Sequence, residues 1–151
     1  MIKPAPGLGI NEQSEAIVVR LCLCDEARGE KDQGGDLDAG PMLAIWHVIR
    51  NRALKRDTSM KAEILRDKQF SGFNPDGGHR DQMLLYWKTD PAGWTRADAV
   101  CDIAERGWTN DPTDGSLNYY NPSIAQPVWG RGHPKWVEHV MIRNHCFGIA
   151  G

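Results

Sequence analysis

Pro41-Met42-Leu43-Ala44-Ile45-Trp46-His47-Val48-Ile49-Arg50-Asn51-Arg52-Ala53-Leu54-Lys55 decides the fold class. Met42, Ile45, Trp46, Ile49 and Ala53 recur at i, i+3, i+4, i+7 and i+11, so one face of a helix collects the apolar side chains. Arg50, Asn51, Arg52 and Lys55 take the other side. Pro41 suits the first helical position, where the missing N–H wastes no hydrogen bond. The pattern predicts an amphipathic helix over about 41–56.

Toward the N-terminus, Asn11-Glu12-Gln13-Ser14-Glu15 makes a polar, acidic helix start. Ile17, Leu21 and Cys24 continue at helical spacing, which predicts a helix over about 12–28 with a stop at Gly29. Residues 1–10 read as an irregular arm and 31–40 as a loop. Toward the C-terminus, a short helix is expected at 60–66 and another helical stretch at 79–88. Thr95-Arg96-Ala97-Asp98 matches a capping box and predicts a helix over about 95–107. Gln69 to Gly78 is a loop by its Gly, Pro and Asn content. In the last third, Leu117 to Tyr120 and Val140 to Phe147 favour strands. The expected class is α+β, mainly α, as one domain over 1–151 with a small β element in its C-terminal third.

The 151 residues carry a formal net charge of -2 with both signs dispersed, which gives no support to nucleic-acid binding. No integral membrane segment is expected, since no apolar run reaches bilayer length. Met1 to Ile10 lacks the apolar run of a signal peptide, so synthesis in the cytoplasm without a signal of its own is expected. Cys22, Cys24, Cys101 and Cys146 read as buried thiols, with a disulfide to Cys146 left open. Among the six tryptophans, Trp129 and Trp136 lie in Gly/Pro-rich surroundings and are candidates for exposure. An exposed indole can stack on a sugar ring, although core packing is the plainer use.

Glu26 and Glu30 are four apart and share a helix face. Two nearby carboxyls suit acid–base work, because repulsion and burial hold one protonated near neutral pH. Solvated acids at a helix end explain the spacing equally. No metal or other cofactor is expected: the five histidines form no His-Glu-x-x-His motif, and segment 25–38 fails the calcium-loop pattern. Ser71 lacks the Gly-x-Ser-x-Gly context of a serine nucleophile. Asn118-Tyr119-Tyr120-Asn121 gathers amides and phenols, which read sugar hydroxyls and N-acetyl groups well, or form an ordinary packed strand.

Several segments together resemble the cell wall hydrolases typified by the spore-cortex-lytic enzyme SleB. They are Glu26-Ala27-Arg28-Gly29-Glu30, Val48-Ile49-Arg50-Asn51-Arg52, Gln69-Phe70-Ser71, Asp111 through Pro122 followed by Trp129, and His145-Cys146-Phe147. They stand in the family's order. The chain departs from the pattern at Asn118 and Gly148, where the family usually carries Tyr.

The resemblance implies a lysozyme-like helical fold and peptidoglycan as partner. It implies cleavage between N-acetylmuramic acid and N-acetylglucosamine by a lytic transglycosylase, with Glu26 as the catalytic acid. A hydrolytic muramidase using a second carboxylate is the alternative, as is a non-catalytic wall-binding or virion module. The candidate substrate-binding residues are Gln69, Phe70, Ser71, Tyr119, Tyr120, Asn121 and Trp129. Arg28, Glu30 and His145 are candidate supports. A short lytic domain of this kind resembles a phage endolysin or virion-associated lysin, acting on the wall after release through a holin lesion or delivery in a virion.

Overall fold

The computed structural model describes residues 1–27, 39–66 and 69–151. The expected helix stop at Gly29, most of the loop over 31–40, and the candidate supports Arg28 and Glu30 lie outside the described residues.

The helices among the described residues are α1 (Glu15–Ala27), α2 (Gly40–Arg56), α3 (Met60–Leu65), α4 (Arg80–Met83), α5 (Tyr86–Thr89) and α6 (Pro91–Glu105). Single 3-10 turns occupy Ile10–Glu12 and Ser71–Phe73. Strands β1 (Asn118–Tyr120), β2 (Val137–Ile142) and β3 (His145–Ile149) form one antiparallel sheet in the order β1-β3-β2. The chain is thus mainly helical with a small C-terminal sheet.

Helix α1 is the axis of the bundle and packs against α2, α3 and α6. Every residue from Ile17 to Cys24 is buried. A helix apolar around its whole circumference belongs inside, and this one has no wet face over those two turns. Leu21 and Leu23 are fully enclosed, each worth about 1.5–3 kcal/mol of burial. The one ionic side chain in that run, Arg20, bonds Asp98 at 2.8 Å and Glu105 at 2.9 Å, both on α6. Burial opposes its charge, but the two carboxylates outweigh that and raise its pKa. The buried run ends where Asp25 and Glu26 emerge half-buried.

Helix α2 forms as its period predicts, with Pro41 in the first turn and Met42, Ile45 and Ile49 fully buried. Helix α6 begins four residues earlier than the Thr95 capping box suggests. Asp90 is the cap: its carboxylate accepts from the Gly93 amide at 3.2 Å, and Pro91 opens the helix. Asp98 is instead the ion-pair partner of Arg20. The stretch 79–88 forms two single turns rather than one helix.

Among the described residues, strand β1 pairs with β3 alone, setting Tyr119 opposite Phe147 and Tyr120 opposite Cys146. Fully buried Phe147 anchors the sheet on the helices. Arg143 turns the chain between β2 and β3 in the left-handed region, at φ 52°. All four cysteines are buried, and none of them is in a disulfide. Trp129 and Trp136 are half-buried against Tyr120 rather than free, while Trp108 is the exposed tryptophan at 71%. No helix among the described residues is long and apolar enough to cross a membrane.

Candidate active site

Glu26 stands where two arms of a cleft meet. One arm, about 700 Å³, is lined by His79, Gln82, Leu85, Tyr86 and Thr89 from the α4–α5 side. The other, about 610 Å³, is lined by Tyr119, Tyr120, Asn121, Ile124, Ala125 and His145 from the sheet side. Asp25, Glu26 and Ser71 line both arms.

The position of Glu26 changes its chemistry. Loss of water around it raises its pKa, and the negative charge of Asp25 adds to this. A hydrogen bond donated by Tyr119, with the positive fields of His145 and Arg52, pulls the other way without cancelling the rise. Burial in turn pushes the Tyr119 phenol up, so it remains a donor. The outcome is a carboxyl biased toward its protonated form, with a phenol in place to steady the anion once the proton has gone.

Asp25 is tied down. It accepts from the Tyr86 hydroxyl at 2.6 Å and pairs with His79 Nε2. Gly72 makes this possible: a Cβ there would collide with the Asp25 carboxylate and crowd the His79 ring. The loop closes on the same point, since the His79 amide donates to the Gly72 carbonyl at 2.9 Å. Arg80 then holds the Phe73 carbonyl at 2.6 Å. A loop rich in Gly and Pro thus brings Ser71 and His79 to the mouth of the cleft.

Tyr119 is positioned by α2. Asn51 Nδ2 donates to Asp111 Oδ2 at 2.9 Å and to the Ser116 carbonyl at 3.1 Å. Arg52 Nε donates to the Leu117 carbonyl at 2.5 Å. Asp111 also accepts from the Thr113 amide, the Thr113 hydroxyl and the Gly115 amide. Burial pushes its pKa up, but the bonds from Thr113, Asn51 and the backbone amides outweigh it and leave Asp111 below its ordinary value. The turn 111–117 is therefore pinned from within and from α2, and it leads directly into β1.

A sequence model of cell wall hydrolases matches residues 38–148, more than two thirds of the chain. The chain belongs to the cell wall hydrolase family. Its reaction is accordingly the cleavage of peptidoglycan. The match starts after Glu26, so the role of that residue rests on the site itself. No curated protein and no solved structure matches the chain.

Within this family member, the sequence-derived candidates are distributed unevenly. Glu26, Ser71, Tyr119, Tyr120, Asn121 and His145 share the cleft. Phe70 lies beneath it, buried in the core with the Arg52 guanidinium over its ring. Trp129 packs edge-on to Tyr120 and beside Trp136, supporting the sheet-side wall without lining it. Gln69 lines a separate cavity behind β1. Asp25, His79 and Tyr86 are functional candidates that sequence reasoning passed over. Asp25 was visible beside Glu26, but its partners lie 54 and 61 positions away.

Proposed function

We propose that this cell wall hydrolase cuts the glycan strand between N-acetylmuramic acid and N-acetylglucosamine as a lytic transglycosylase, with Glu26 as its general acid. The observation that carries this reading is a carboxyl with a raised pKa at the junction of two cleft arms. Glu26 donates its proton to the glycosidic oxygen and the leaving sugar departs. An oxocarbenium-like muramic residue remains. The Glu26 carboxylate, held by the Tyr119 hydroxyl, then takes the proton of the muramic C6 hydroxyl as that oxygen closes on C1. The products are a 1,6-anhydro end and a Glu26 ready for another cycle. Release through a holin lesion or delivery in a virion is the route to the wall that the resemblance to phage lysins implies.

A second reading is favoured by Asp25, which lines both arms beside Glu26. A second carboxyl can serve water attack and leave a reducing end. Mass spectrometry of released muropeptides separates the two, because the anhydro product is lighter by one water. Glu26→Gln should cut turnover on purified sacculi by roughly a thousandfold while the melting temperature is kept. Full activity of that variant overturns the assignment of Glu26.

A further inference from the structure

A second cavity, about 570 Å³, lies on the far side of β1 from Glu26. Asn118 lines it, while the next residue, Tyr119, lines the cleft arm and bonds Glu26. Tyr120 lines the cleft arm as well, so β1 separates the two spaces, with Asn118 on one side and the two tyrosines on the other. Gln69 lines the cavity and Ser71, two residues on, lines the cleft. Among the described residues β1 is an edge strand, so a branch of a bound substrate would pass its unpaired edge to reach the cavity.

The cavity is strongly cationic. Arg52, Lys55, Arg56 and Arg66 line it, and no carboxylate among the described residues does. Fully buried Glu63 pairs with Arg56 at 3.3 Å and Arg66 at 3.5 Å. Arg52 and Lys55 make no ion pair with any described carboxylate. A carboxylate answers such a lining, because it brings the opposite charge and a guanidinium can bind it through paired N–H donors.

We propose that this cavity binds a carboxylate of the stem peptide borne by a muramic residue seated in the cleft. The inference rests on the glycan-cleaving reading and extends it to the peptide branch. The enzyme would then prefer peptide-bearing strands over bare ones.

Lys55 is exposed on the last turn of α2 and tests this without touching the core. The ratio of kcat/KM on intact sacculi to kcat/KM on strands stripped of peptide should fall roughly fivefold in Lys55→Glu and less in Lys55→Gln. Calorimetry should show a disaccharide-tetrapeptide binding E26Q enzyme more tightly than the same compound with its carboxyls amidated. That difference should shrink when Lys55→Glu is added. An unchanged ratio with unchanged binding overturns the proposal. So does Lys55→Glu losing affinity for a teichoic acid polymer while muropeptide affinity holds, which would assign the cavity to a phosphate polymer. If wild-type enzyme cleaves neither substrate, the glycan-cleaving reading fails, and the calorimetry still decides the cavity.

Discussion

Glu26 is controlled by neighbours that pull in opposite directions. Burial and the Asp25 charge favour its acid form, whereas the Tyr119 hydrogen bond favours the anion. In the proposed role of general acid Glu26 works only while protonated, so kcat/KM should decline as pH rises through its pKa. Asp25→Asn removes a negative neighbour and keeps an acceptor for Tyr86, so the alkaline limb of the pH profile should move to lower pH. Tyr119→Phe removes the bond that steadies the anion, so the limb should move to higher pH, with kcat reduced as well. A pH–rate series on the two variants checks both signs. Movement in the same direction would show that the pair does not act on Glu26 in this way.

At the scale of elements, α2 is both a core helix and the clamp on the turn before β1. Its buried face was legible because the 3.6-residue period was unbroken from Met42 to Ala53. Its polar face was visible only as charge: nothing local showed that Asn51 would reach Asp111 and Ser116, 60 and 65 positions on. Asn51→Ala deletes two bonds, one of them to a carboxylate, and should cost about 2 kcal/mol. Asp111 adds a sign to that cost. Its pKa is lowered in the folded state, so the stability it contributes is present above its unfolded pKa and disappears as pH falls through the folded one. The Asn51→Ala penalty should therefore be largest near neutral pH and shrink in acid. Thermal unfolding at pH 7 and pH 3 measures it, and equal penalties at the two values would remove Asp111 from the account. The start of α6 was misread for a related reason. Two plausible caps lie five residues apart, and only packing against Arg20 assigns Asp98 to an ion pair instead.

Over the whole molecule, α1 carries Glu26 to the junction of a helical and a sheet-side wall. The period of α1 gave little warning of its central place, because a helix buried on every side has no polar stripe to mark its orientation. The cleft was half legible: the Tyr119-Tyr120-Asn121 wall belonged to a recognisable motif, whereas His79 and Tyr86 reach Asp25 only through tertiary packing. Two walls meeting over one carboxyl have a kinetic consequence. Contacts remote from the broken bond serve the reaction only if the substrate reaches them, so short substrates lose kcat as well as affinity. Glycan oligomers of increasing length should gain kcat/KM until they span both arms, and then level off. Gln82→Ala on the helical wall and Asn121→Ala on the sheet wall should each flatten that gain. Their effects should add, because the two residues line different arms and share no described contact. If the shortest cleavable oligomer is turned over as fast as the longest, only one wall binds substrate, and Glu26 stands at the end of the working cleft rather than in its middle.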